Sequence, residues 1–213
     1  MSDMHFYEPR HGHGLPHDPF KAIVAPRPIG WISTVDADGR PNLAPYSFFN
    51  AFCESPPIVG FSSGGPKDSQ RNAEATGEFV VNLAPRRQAE ALNLTSAPWP
   101  PGVSEFEAAG LAAAPSRLVR PPRVADAPAA LECKVVLVLP LRDLDGRPTA
   151  STLVLGQVVG VHIATAFLRE GLFDLVAAGT IARCGYRGDY TQVTALFEML
   201  RPGAGESVPT RSG

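Results

Sequence analysis

Cysteine is scarce in this chain: Cys53, Cys133 and Cys184 are the three among 213 residues, odd in number and far apart. That pattern excludes a disulfide framework and a zinc ribbon, and it fits a reducing, cytoplasmic setting. Each reads as a small buried apolar residue. Charge of neither sign is in excess, with 19 Lys and Arg against 21 Asp and Glu, a formal net charge of −2. Such a balance implies no nucleic-acid partner. No apolar run approaches the roughly 20 residues of a membrane span. The polar stretch Met1 to Arg10 has no signal-peptide core. No fixed internal period marks a repeat protein. Proline and glycine are plentiful, at 22 and 20. They cut the chain into short elements and disfavour a helical bundle.

Taken in order, residues 1–19 read as an irregular arm. It holds His5, His11, His13 and His17 but no cysteine, so packing on the surface or on a partner subunit is preferred over metal binding. Phe20 to Ala25 is expected to form one helical turn. Pro28 to Val35 is β-branched and aromatic, a strand. Asp36 to Arg40 is hairpin chemistry, and Asn42 to Tyr46 returns, with Pro45 marking an edge, an end or a bulge. Ser47 to Phe52 reads as an aromatic-rich bend. Further strands are expected at 57–61, Phe79 to Leu83, Ala130 to Leu139 and Ser151 to Ile163. The last contains Gly156 and Gly160, where bulges are expected. Helices are expected over Asp68 to Thr76 and Pro85 to Leu94. Thr95 to Pro128 reads as an insertion of short helices and loops. Phe167 to Ala178 reads as a loop with a helical turn, and Thr180 to Tyr190 as a loop. Val193 to Leu200 is helix-compatible, with a strand as the alternative, and 201–213 reads as a disordered tail. The fold class is therefore mainly β: a small antiparallel barrel with peripheral helices over residues 20–200.

One stretch carries chemistry. Phe61-Ser62-Ser63-Gly64-Gly65-Pro66-Lys67-Asp68-Ser69 joins a strand to a helix through small residues. Helix-start amides and the helix dipole favour an anion there. Lys67 adds a cation, and Ser62, Ser63 and Ser69 add hydroxyls. The group suits a phosphate monoester. The same residues also make an ordinary polar turn capped by Asp68 or Ser69. The spacing is neither that of a P-loop nor that of a dinucleotide fingerprint.

Three segments together resemble the flavin reductase-like FMN-binding split-barrel proteins. They are Ala25 to Thr34, Asn42 to Asn50, and Phe61 to Ser63 with Lys67, Asp68, Ser69 and Asn72 leading into Gly77 to Leu83. Gly156 to Ile163 and Ile181 to Tyr186 resemble the family's later signatures. The resemblance implies an antiparallel Greek-key split barrel and a homodimer with flavin sites at or near the interface. It implies FMN as cofactor, with Ser62, Ser63, Lys67, Asp68 and Ser69 around its phosphate and Asn72 supporting that turn. Asp68 does not match a phosphate in charge, so capping the helix or holding Lys67 is its expected role. Tyr46, Ser47, Phe48, Phe49 and Asn50 would hold the ring edge, with at least one of Phe48, Phe49 and Phe52 serving the core instead. Ser33 and Thr34 would reach the ribityl chain or ring. His162 would face the flavin or nicotinamide as the catalytic candidate, against the alternative of a hydrogen-bonded structural residue. Arg183 would pair with the phosphate or with an acid across the dimer, and Tyr186 and Tyr190 would cover the ring from the partner chain. No metal is implied. The expected activity is NAD(P)H-dependent flavin reduction, hydride passing from nicotinamide to flavin with small molecules as donor and acceptor. An electron carrier with tightly held FMN and a non-catalytic FMN-binding protein are the alternatives.

Overall fold

The computed structural model describes residues 3–100, 103–199 and Arg201. Seven strands form its main sheet: Gly30–Val35 (β1), Pro41–Tyr46 (β2), Phe49–Cys53 (β3), Ile58–Gly64 (β4), Glu78–Leu83 (β5), Ala129–Arg142 (β6) and Pro148–Ile163 (β7). Their spatial order is β2-β1-β5-β6-β7-β4-β3, every pair antiparallel. β5, β6 and β7 lie side by side and β4 returns beside β7, a Greek-key order. The sheet curls into a half-barrel. β2, with Pro41 and Pro45, is an edge strand, where a missing N–H is tolerated.

Strand alternation divides the apolar residues between two faces. Ile32, Tyr46, Phe61, Phe79, Cys133 and Val154 pack together on one face, against Ala73 of the Asp68–Thr76 helix. Tyr46 and Phe61 lie 4.8 Å apart by ring centroid, and Phe61 meets Phe79 edge-on at 5.5 Å. Trp31, Leu43, Leu92, Phe106 and Val124 pack on the other. There the 95–128 insertion lies over the sheet, with a short helix at Glu105–Ala108 and two-residue strands at Ala113–Ala114 and Arg123–Val124. Buried polar groups pin it. Trp31 Nε1 donates to Thr95 Oγ1 at 2.9 Å. Asn82 donates to the Trp31 carbonyl at 3.1 Å and accepts from the Val124 amide at 2.8 Å.

The bulges expected in β7 are present, with register shifts at Leu155/Gly156 and at Val158/Gly160. Three expectations change. Ser47 to Phe52 is a bend only at Ser47 and Phe48, because Phe49–Cys53 pairs with β4. The 180–190 loop contains Ile181–Arg183, which pairs with Arg27–Pro28 and with Tyr190–Gln192 in a separate three-stranded ribbon. Residues 193–199 are neither helix nor strand, and Leu196, Phe197 and Met199 are exposed. With nothing packed on its apolar side chains, that segment lacks what usually holds a short helix together. Of the expected 201–213 tail, all but Arg201 lies outside the described residues. The arm has one short 3₁₀ turn at Pro9–His11, and His17 reaches the Tyr186 ring at 5.8 Å. No described helix is long and apolar enough to cross a membrane.

Gly156 is the tightest point of the helix-bearing face. A Cβ there would sit 2.4 Å from Phe79 Cε1 and 3.1 Å from Cys133 Cβ. Gly156→Ala is expected to cost about 2 kcal/mol through overpacking, lowering Tm by roughly 4–8 °C. A thermal melt with Tm unchanged would show that the bulge relaxes freely.

Candidate flavin site

β4 runs on through Ser62, Ser63 and Gly64, which pair with Leu153, Thr152 and Ser151 of β7. The turn into the helix is therefore Gly65 to Lys67. Gly65 takes φ +86°, a left-handed value that suits glycine. Lys67 occupies the N-cap position, and no side chain caps the helix. The amides of Asp68, Ser69 and Gln70 thus have neither an intrahelical acceptor nor a side-chain cap. The expected roles of Asp68 are both replaced: its carboxylate pairs with Arg71 three residues on. Arg71 also donates to the Pro66 carbonyl at 3.1 Å. Lys67 is exposed and makes no ion pair among the described residues.

Beneath the turn the hydroxyls are tied down. Ser63 Oγ donates to the Gly65 carbonyl at 3.0 Å. Ser69 Oγ accepts from Asn42 at 2.9 Å, and Thr34 Oγ1 accepts from Asn72 at 3.1 Å, so the helix is stitched to β2 and β1. The Tyr46 hydroxyl is buried and has no hydrogen-bond partner. Burial pushes this phenol up; Ser69 and Ser63 lie close enough to temper the shift without completing a bond to it. Glu105 reaches in from the insertion and accepts from the Leu43 amide at 3.1 Å. Burial raises its carboxyl, and the charge of Asp68 adds to the shift.

The aromatic bend lies alongside. The Ser62 amide donates to the Phe48 carbonyl at 2.8 Å. Phe48, Asn50 and Phe52 are exposed, whereas Phe49 packs over Gly30 and takes the core role. The fold thus gathers Thr34, Tyr46, Ser47, Phe48, Phe49, Asn50, Ser62, Ser63, Lys67, Asp68, Ser69 and Asn72 into one region. Three expected residues stand apart from it. Ser33 follows Trp31 onto the opposite face of β1, where its hydroxyl is buried and unpartnered. Arg183 sits in the small ribbon with its guanidinium 4.7 Å over the Tyr190 ring.

His162 lies ten residues along β7 from Thr152, the partner of Ser63, or roughly 30 Å at strand rise. Its Nε2 bonds Glu132 Oε1 at 2.5 Å. Glu132 is 1% exposed and also accepts from the amides of Arg117 (2.8 Å), Leu118 (2.6 Å) and Val119 (3.1 Å). Burial would raise this carboxyl, but the His162 bond and the Arg117 and Leu118 amides outweigh it and hold it low. Within the protomer His162 is thus bonded to Glu132, far along β7 from the Gly65–Lys67 turn. Sequence reading missed Glu132, Arg71 and Glu105. Only Arg71, three residues after Asp68 on a helix, left a local signal.

A family model described as a flavin reductase like domain matches residues 24–176. The chain belongs to the flavin reductase-like family. An uncharacterized protein of Halalkalibacterium halodurans is 38% identical over 184 residues, covering 84% of this chain and 87% of its own. Nitrilotriacetate monooxygenase component B from Bacillus cereus superposes with a TM-score of 0.82 at 30% identity, covering 93% of this chain and 100% of that one. The Pseudomonas fluorescens 2-nitrobenzoate 2-nitroreductase does so at 0.77 and 27%, covering 91% and 92%.

The residues present fit a flavin. An uncapped helix start with a free lysine offers an anion site. Gly64 and Gly65 have nothing within 4 Å of where a Cβ would lie, which leaves open space at the turn. The Tyr46 hydroxyl lacks a partner, and exposed aromatic rings stand one strand away.

The Glu132 bonds generate a test. Gln in its place turns an NH₂ toward amides that need an acceptor. Glu132→Gln is expected to cost about 3 kcal/mol, or roughly 6–12 °C in Tm. The folded-state pKa of Glu132 lies below its ordinary 4.5. Its contribution is thus intact above that value and lost as pH falls through the depressed one. The Tm gap between wild type and variant should narrow on acidification below about pH 4.5; a constant gap in melts across that range would contradict this role.

Proposed function

We propose that this protein is an NAD(P)H-dependent flavin reductase that holds FMN at the Gly65–Lys67 turn and works as a homodimer. The observation that carries the reading is the uncapped helix start with its unpaired Lys67, set beside an exposed aromatic bend. A phosphate needs the first, and an apolar ring with a polar edge needs the second. The nitroreductase among its structural relatives supports a reductive activity.

When bound, FMN supplies a ring able to accept hydride from a nicotinamide. The work of the chain is binding and orientation. Lys67 and the amides of Asp68, Ser69 and Gln70 hold the phosphate. Thr34 and Asn72 keep the helix in register with β1. The bend at Tyr46 to Asn50 presents backbone groups to the polar edge, and Phe48 and Phe52 keep water away. Asp68, already paired with Arg71, and Glu105 set a negative limit on the site that tempers FMN affinity.

The homodimer is supported by the far half of the β6–β7 hairpin. Val136, Leu137, Leu139 and Leu144 are all exposed there, more apolar surface than a lone projecting hairpin keeps dry. A second copy would cover it and close the open side of the bend.

An absorption spectrum of the purified protein, followed by anaerobic NADH and then NADPH, tests the activity. A flavin band that one donor bleaches is expected; a bound flavin that neither bleaches favours an electron carrier. Lys67→Ala is expected to weaken FMN binding about tenfold or more, a loss of ~1.5 kcal/mol, while riboflavin binding stays within about twofold. Equal losses in a fluorescence titration would remove Lys67 from the phosphate.

A further inference from the structure

Glu132 and His162 form one wall of a cavity of about 540 Å³ on the insertion-bearing face. This is the size of a small-molecule pocket. It lies at the far end of β7 from the Gly65–Lys67 turn, on the other side of the sheet. Two arginines border it, Arg117 and Arg123. Neither makes an ion pair among the described residues. Glu132 cannot serve them, because its two oxygens already accept four hydrogen bonds, the capacity of a carboxylate. Arg123 is the more telling. Its Nε is enclosed and has no partner, and its Nη1 finds only the Ala125 carbonyl, at 3.5 Å. A guanidinium held this way is costly without an acceptor. The other side chains facing it are apolar, Ala127, Ala130, Ala164 and Leu118, the last 54% exposed.

We infer that this cavity is a second binding site, for a small organic oxyanion (a carboxylate or a phosphate monoester) carried on an apolar body. The planar fork of Arg123 matches two oxygens of such a group, and Arg117 stands at the same border. Leu118, with Ala127, Ala130 and Ala164, receives the apolar body, and Leu118 loses its contact with water. The Glu132 bonds hold the 117–119 backbone and His162 in place, so the site exists before the ligand arrives. The inference is independent of the flavin reading, since no residue is shared.

The test uses the full-length protein, ¹⁵N-labelled, titrated with sodium benzoate, phenyl phosphate and benzyl alcohol while amide shifts are followed. Either anion is expected to move the amides of Arg117 to Val119 and Val161 to Ala164 saturably, and benzyl alcohol at least tenfold more weakly. Whichever anion binds more tightly identifies the head group. Arg123→Gln should weaken the anion at least tenfold. Leu118→Trp, at an exposed position that leaves Arg123 intact, should also block it, and FMN affinity should be unchanged in both. If neither anion moves those amides, or all three probes move them equally, the inference fails. It also fails if Arg123→Gln keeps its fold, by spectrum and melt, and binds the anion as wild type does.

Discussion

Strand β1 is buried at all six positions from Gly30 to Val35, so the sheet must be covered on both faces there. The two covers are different in kind. On one side the nine-residue Asp68–Thr76 helix brings Ala73 against Ile32 and Phe79. On the other, an insertion with little regular structure brings Phe106 and Val124 against Trp31 and Leu43. A helix covers a strand through its own apolar stripe. A loop cannot, because its backbone amides need acceptors wherever water is excluded. The sheet supplies them: Asn82 takes the amide of Val124, and Glu132 takes those of Arg117, Leu118 and Val119. Two polar side chains in the middle of β-strands are what let an irregular segment serve as a layer.

Other polar groups stay open: among the described residues Arg27 Nε, Ser33 Oγ, Gln88 Oε1, Ser104 Oγ and Thr180 Oγ1 are enclosed without a partner. Three more open groups lie near the candidate sites. The helix start has no side-chain cap, the Tyr46 hydroxyl has no partner, and Arg123 Nε is enclosed and alone. The first two lie together at the Gly65–Lys67 turn and the third lies at the opposite end of β7. What sets these three apart from Ser104 or Thr180 is their surroundings, exposed aromatic rings beside the turn and a cavity beside Arg123. Ser33, also unpartnered, is fully buried on the face of β1 that carries Trp31.

The long elements were legible in the sequence because two local signals agreed at each. Asp36 to Arg40 and Asp143 to Arg147 are turn chemistry between alternating runs, and both became hairpins. The 68–76 helix ended at Gly77 as expected. What failed was short or tertiary. Ile181–Arg183 and Tyr190–Gln192 are three residues each; the first pairs with the distant Arg27–Pro28, and the second pairs with the first. Phe49–Cys53 reads as a bend because its aromatic residues follow turn-forming Ser47, and only β4 makes it a strand. Within the site, residues near each other in sequence were grouped correctly, since a turn and its helix travel together. Ser33 was grouped with Thr34 against the two-residue period of a strand. Glu132 gave no signal, because the amides it binds lie 13 to 15 residues away.

His162 shows how far a resemblance extends and where geometry takes over. A histidine at the end of a strand, in a family that handles redox cofactors, attracts a catalytic role. Its nearest acid gives it an architectural tie as well. Glu132 fixes the ring from a buried position, and the same carboxylate is committed to three backbone amides. Moving His162 would break its bond to Glu132 and leave that carboxylate with the three amides alone. The proposed hydride transfer asks for a well-placed ring, and no side-chain acid or base takes part in that step. The buried Glu132, bonded to His162 and to three backbone amides, serves the architecture.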